Sequence, residues 1–163
     1  MQEIIATILL SVMGGILYRM GGSSRFHTLF RDIGTTLCAV TLMSVFGIKD
    51  WTLIASFVLL YAAMTTYLDF VNKWFNHSDR EYWLNWMLIG FTYNIAMLPT
   101  VWQAGLWKGF GIRMAVLPIL FVASDYLVEW YDAKMDPLED EAVAKEFLRG
   151  FLTVVTVPIL FIN

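Results

Sequence analysis

Asp125, Glu129 and Asp132 stand four and three residues apart, a spacing that on a helix places three carboxylates within roughly 60° of one another. Such a stripe can hold a hard metal ion through oxygen ligands, or divide the work of general acid and general base between its members. A second polar stripe, Tyr61, Thr65, Asp69 and Asn72, repeats that spacing and runs into Lys73. Asp125, Glu129 and Asp69 are therefore the candidate catalytic carboxylates, and Asp125, Glu129 and Asp132 the candidate metal ligands.

The matching positive charge comes from two places. The stretch from Gly14 to Arg25 holds Gly14-Gly15, Arg19 and then Gly21-Gly22-Ser23-Ser24-Arg25, a turn that can offer backbone amides, hydroxyls and a guanidinium to a phosphate group. It is neither a Walker loop nor a dinucleotide fingerprint, since both lack a match here. Arg149 opens a later apolar run. Arg19, Ser23, Ser24, Arg25 and Arg149 are the candidate residues for binding an anionic substrate. A plainer reading applies to each charge: a side chain at a helix end can snorkel to an interface, and an Asp opposite an Arg can simply neutralise a bundle. Asp125 lies deepest in its apolar run and is the hardest to explain that way.

Other residues carry weaker signals. His77-Ser78-Asp79 has the residue types of a hydrolytic triad, but neighbours on one loop cannot adopt its geometry. His27 is isolated, and two histidines do not suggest a histidine-rich metal site. Cys38 is the single cysteine, which excludes an intrachain disulfide and fits a small buried hydrophobe. Asn94, near the middle of an apolar run, is expected to bond across helices. Pro99, Pro118 and Pro158 are expected kink positions.

The elements that would position these groups follow from composition. Of 163 residues, 58% are hydrophobic and only 15% charged, against roughly a quarter charged in soluble domains. That balance suits helices that face lipid outside as well as one another inside. Apolar runs fall near Ile4 to Tyr18, Ile33 to Ile48, Thr52 to Leu68, Trp83 to Trp102, Met114 to Val128 and Gly150 to Ile162. The expected fold is an all-α, polytopic transmembrane bundle of about six spans in one domain, the last short enough to be re-entrant. Residues 137–149 are expected to form an interfacial amphipathic helix, with Asp136 and Pro137 at its start. The seven Trp fall near segment ends, where the headgroup layer favours amphipathic rings.

With six spans, Arg19, Arg25, Arg31, Lys73, Arg80, Lys134, Lys145 and Arg149 share one side, while Lys49, Lys108 and Arg113 take the other. The excess predicts basic connections in the cytoplasm and a chain integral to the cell (inner) membrane. A net charge of −3 with scattered Lys and Arg excludes a nucleic-acid face. The expected function is a cytoplasm-facing polar site that binds or modifies a phosphorylated lipid or another anionic small substrate. A transporter, channel or pore-forming protein is the alternative. A third is an accessory membrane protein whose Ser11-xxx-Gly15 face docks a partner helix; a homo-oligomer is also compatible. The sequence leaves the identity of any cofactor open.

Overall fold

The computed structural model describes residues 1–20, 25–72, 79–134 and 141–162; the side chains of 25–30, 32, 62, 65–72, 79–86 and 141–142 lie outside that description. The described chain is all-helical: α1 (Gln2–Arg19), α2 (Arg25–Val45), α3 (Trp51–Asn72), α4 (Asp79–Ile95), α5 (Leu98–Ala104), α6 (Trp107–Lys134), α7 (Glu141–Val155) and a terminal 3-10 turn (Val157–Phe161). Local chemistry sets several of these limits. Asp50 caps α3 by accepting hydrogen bonds from the Thr52 amide at 2.8 Å and the Thr52 hydroxyl at 2.7 Å. Those bonds, the Thr52 hydroxyl first, hold the Asp50 carboxyl below the usual carboxylate range. Gly105 closes α5 in the left-handed conformation at φ 69°, where a side chain would be strained.

Among the described residues, two helices are long and apolar enough to cross a membrane by length and composition: α1 and α6. The apolar stretches Ile33–Val45 and Trp51–Tyr61 are shorter. The fourth and last apolar runs are each divided. The fourth breaks between Ile95 and Leu98, and the last changes from α to 3-10 geometry at Thr156. Proline follows both breaks, as Pro99 and Pro158, because a ring at that position removes the amide that would continue the α ladder. The start of the expected 137–149 helix, with Asp136 and Pro137, lies outside the described residues; from Glu141 one helix continues to Val155, into the last apolar run.

One boundary needs correction. Arg113 was expected in the connection before a run beginning at Met114, but α6 begins at Trp107 and carries Arg113 inside the helix, fully buried. At 1.5 Å per residue, α6 is about 42 Å long, more than the roughly 30 Å of a hydrocarbon core.

The helices pair closely through glycine. α1 packs most extensively on α7 and α2, and α4 on α6. A Cβ at Gly150 would lie 2.5 Å from the Gly14 carbonyl oxygen and 2.5 Å from Tyr18 Cβ, and one at Gly15 would lie 2.9 Å from the Phe147 carbonyl oxygen. The small-residue face of α1 is thus occupied by α7 of the same chain. A Cβ at Gly90 would sit 2.9 Å from Pro118 Cα, which brings α4 against α6 at the one interior proline of α6. Stacked and edge-on rings of Phe57, Tyr61, Tyr93 and Phe121 then join α3, α4 and α6. Gly150→Ala is expected to lower stability by about 1–3 kcal/mol through forced separation of α1 and α7. Gly111→Ala, where nothing lies within 4 Å, serves as the control and is expected to be neutral or to gain up to about 1 kcal/mol of helix propensity. Thermal melts in detergent, followed by tryptophan fluorescence, read both.

The outer surface is apolar. Ile4, Ile5, Ile8, Leu9, Met13 and Ile16 are exposed on α1, Leu59 on α3, and Ile119 and Leu127 on α6. Exposed aromatic rings mark the two ends. Trp51 and Trp102 are 79% and 77% exposed, and the Gln103 amide donates to Asp50 at 3.2 Å, placing both rings at the same end. Trp102 meets Trp107 edge-on at 5.6 Å. At the far end of α6, Trp130 and Tyr131 are exposed, with Lys134 over the Trp130 ring at 5.6 Å. Trp107 and Trp130 are about 35 Å apart along the helix.

Candidate functional site

The buried charges lie along the contact between α6 and α7. On α6, Arg113, Leu117, Phe121, Ser124, Asp125 and Val128 form the buried side. Arg149 and Thr153 on α7, and Thr156 just past its end, recur at intervals of four and three and so share one side. Asp125 meets Arg149, Glu129 meets Lys145, and Arg113 meets Thr153 and Thr156. Because partner numbers fall along α7 as they rise along α6, the two helices run antiparallel.

Toward the Trp130 end, Nη2 of Arg149 donates to both carboxylate oxygens of Asp125 at 3.1 Å, with both side chains 7% exposed. One turn on, Lys145 Nζ donates to Glu129 Oε1 at 2.7 Å, where the Glu129 side chain is 50% exposed. The buried pair is the tightly constrained one: removing either member takes from the other the opposite charge it is bonded to, where little water can replace it. Two further features stand at this depth. Tyr18 packs on Gly150, next to Arg149 in the chain, and the Arg31 guanidinium lies 4.6 Å from the centre of the Tyr18 ring.

Toward the Trp107 end, Arg113 is fully buried. Its Nε donates to Thr156 Oγ1 at 3.2 Å, Nη1 to Asn94 Oδ1 at 2.6 Å and to the Met97 sulfur at 3.1 Å, and Nη2 to the Thr153 carbonyl at 2.9 Å. Asn94 is held in turn by donating to the carbonyls of Gly90 at 3.0 Å and Arg113 at 3.3 Å. Among the described residues no carboxylate pairs with this guanidinium. Its surroundings supply the missing negative charge differently. Asn94 lies in the last turn of α4 and Thr153 in the last turn of α7. Each helix C-terminus carries roughly half a negative charge on unsatisfied carbonyls, so two ends offer about one charge to the cation.

Of the candidates read from sequence, Asp125 and Arg149 come together. Glu129 is beside them but engages Lys145, a residue read only as a loop charge. Asp132 is half-buried and Arg19 is exposed. Ser23 and Ser24, and the side chains of Arg25 and Asp69, lie outside the described residues. Among the described residues no group of three His, Cys, Asp or Glu is placed to hold a metal ion. An open groove of about 340 Å³ is lined by Glu3, Ile4, Thr7, Ile8, Phe46, Val155 and Pro158, and none of the candidate residues lines it.

Arg113 with Thr153 and Thr156 is the cluster that residue spacing missed. The available signals were an arginine directly before an uninterrupted apolar run, an asparagine in the middle of another, and threonines on the helix face already holding Arg149. No protein-family model, no curated protein and no solved structure matches the chain.

Proposed function

We propose that the protein is an integral membrane bundle of the cell (inner) membrane that binds a phosphorylated lipid headgroup or another anionic small molecule at its cytoplasmic end. An apolar exterior bounded by aromatic ends about 35 Å apart supports the membrane placement, since a bilayer core and its interfaces span about 40–45 Å. The observation that carries the binding reading is the row of charges near one end of the bundle: Asp125 with Arg149 and Glu129 with Lys145 between α6 and α7, and Arg31 of α2 over the ring of Tyr18, which packs on Gly150. Arg113 and Arg149 are buried, so they drop out of the loop-charge count. Arg19, Arg25, Arg31, Lys73, Arg80, Lys134 and Lys145 then stand against Lys49 and Lys108, which favours the same orientation. Six spans remain part of this proposal, with the divided fourth and last runs each crossing as two pieces. Within the site Glu129 is the carboxylate open to a ligand, while Asp125 holds Arg149.

Basic residues near an anionic surface contribute about 1 kcal/mol each, or roughly fivefold in binding. Arg19→Ala is therefore expected to lower retention of phosphatidylglycerol over phosphatidylcholine roughly fivefold, and Arg19→Ala with Arg31→Ala to lower it further. Native mass spectrometry of the detergent-purified protein gives the readout. Equal retention of both lipids by the unaltered protein would overturn the reading.

A permeation protein is the second reading, and Arg113 is what favours it. It is a fully buried cation about 9 Å along α6 from Trp107, lying between two interrupted helices. Interrupted helices that turn their ends toward a charge are how transporters build sites within the membrane.

A further inference from the structure

Val155 and Pro158 flank Thr156, a partner of Arg113, so the groove of about 340 Å³ that they line lies at the end away from Asp125 and Arg149. It opens where two helices stop running together. α1 and α7 close on each other at Gly14, where a Cβ would lie 2.7 Å from Val154 Cγ2, and α7 ends at Val155. From Gly14 back to Gln2, α1 continues for about 18 Å. Beside that stretch the chain takes the slimmer 3-10 form, which leaves a gap. Ala6 and Leu10 of α1 pack on the core, while Glu3 with Thr7 and Ile4 with Ile8, each pair four residues apart, turn to the gap. Phe46 closes it from α2, held by stacking on Phe161 at 4.7 Å between ring centres.

The lining is apolar in depth and charged at its rim. The Thr7 hydroxyl is spent on the Glu3 carbonyl at 2.7 Å, which leaves the exposed Glu3 carboxylate as the polar group on offer, about 7.5 Å along α1 from Ile8. Among the described residues no Lys or Arg lines the groove with it. Water there would find few partners, and an empty gap beside lipid forfeits dispersion contacts. A flexible hydrocarbon chain meets neither cost. Ile5 and Leu9 expose an apolar surface next to the groove, so a chain can enter from the bilayer. A partner helix, about 10–12 Å across, is a poor fit, because α7 already occupies the small-residue face of α1 that would admit one closely.

We propose that this groove is a lipid site in which one acyl chain lies along Ile4, Ile8 and Phe46 and a primary ammonium headgroup, as in phosphatidylethanolamine, donates to the Glu3 carboxylate. Charge selects the headgroup. An anionic lipid meets the like charge of Glu3, and a quaternary ammonium has no N–H to donate and finds no aromatic cage, since the Phe46 ring is stacked on Phe161. The site needs the membrane placement proposed above and is independent of the anion site at the other end.

Native mass spectrometry of the detergent-purified protein, with phosphatidylethanolamine, phosphatidylcholine and phosphatidylglycerol of identical chains, tests it. The parent is expected to retain the ethanolamine lipid roughly threefold better than the choline lipid, the scale of one exposed carboxylate–ammonium contact, and Glu3→Gln to abolish that preference. Ile8→Trp narrows the groove and is expected to lower ethanolamine-lipid retention on the order of fivefold. Ile5→Trp, outside the groove, is expected to leave it unchanged. Both replaced side chains are more than half exposed, at 55% and 52%, so neither change disturbs the core. Equal retention of the two zwitterionic lipids by the parent, a preference that survives Glu3→Gln, or losses as large in Ile5→Trp as in Ile8→Trp overturns the site. Phosphatidylglycerol retention should follow Arg19 and ignore Glu3. If the glycerol lipid is still favoured and sensitive to Arg19→Ala while Glu3→Gln changes nothing, this site falls alone; if Glu3→Gln acts and the glycerol lipid is not favoured, the headgroup reading falls and this site stands.

Discussion

Asp125→Ala is expected to destabilise the protein by about 3–5 kcal/mol, the range for removing one member of a buried ion pair. The cause is what remains. Arg149 keeps a guanidinium that is 7% exposed, with too little water to replace the carboxylate and no freedom to snorkel from the middle of the α6–α7 contact. Replacing both members by apolar residues of similar size, Asp125→Leu with Arg149→Met, is expected to recover most of that loss, because the desolvation penalty of both ions disappears with them. Glu129→Ala should cost no more than about 1 kcal/mol, since its carboxylate is half exposed and water can answer Lys145. Thermal and denaturant unfolding in a fixed detergent measures all three. An Asp125→Ala protein within 1 kcal/mol of the parent would mean that the pair is not buried as described.

The second large effect is at Arg113. Arg113→Ala is expected to cost about 3–5 kcal/mol. Asn94 Oδ1 loses its charged donor, at about 1–3 kcal/mol for a buried acceptor left unmade, the Thr153 carbonyl keeps only the Thr156 hydroxyl at 3.3 Å, and the side chain leaves a cavity. Relief of the buried charge offsets part of that sum. Arg113→Met separates the contributions by filling much of the volume without donating, so an intermediate loss of about 2 kcal/mol is expected, chiefly from the orphaned Asn94 oxygen. Arg113→Lys should also fail to restore full stability, because one ammonium cannot span Asn94, Thr153 and Thr156 as a planar fork does. An Arg113→Met protein as stable as the parent would show that the guanidinium is dispensable to the bundle.

The difference between these two clusters explains what residue spacing could reveal. Asp125 and Glu129 were legible because i and i+4 on one helix share a face, and Arg149 because it interrupts an apolar run. Lys145 was not, since its value comes from antiparallel pairing across 16 residues of chain. Arg113 was read as a boundary because a charge normally ends an apolar segment. Its acceptors are the Asn94 side-chain oxygen and the Thr153 carbonyl, near the C-termini of two helices and 19 and 40 residues away, and no local pattern records a dipole. The breaks were partly announced. Pro99 and Pro158 stand just past the two interruptions, whereas Pro118 lies within a continuous α6 and packs against Gly90. The identical residue type therefore ends one helix and sits inside another, according to what faces it.

Whether α6 crosses the membrane can be read from its two ends. Lys108 and Lys134 are both exposed, near Trp107 and Trp130 respectively. In the Cys38→Ser background, Lys108→Cys and Lys134→Cys are placed singly in sealed, uniformly oriented membrane vesicles and treated with an impermeant maleimide before and after permeabilisation. Protection of one thiol and reaction of the other in sealed vesicles is the expected result, with Lys134→Cys on the cytoplasmic side. Reaction of both from the same side would contradict the membrane-spanning arrangement of α6 and the interfacial depth assigned to Asp125 and Arg149.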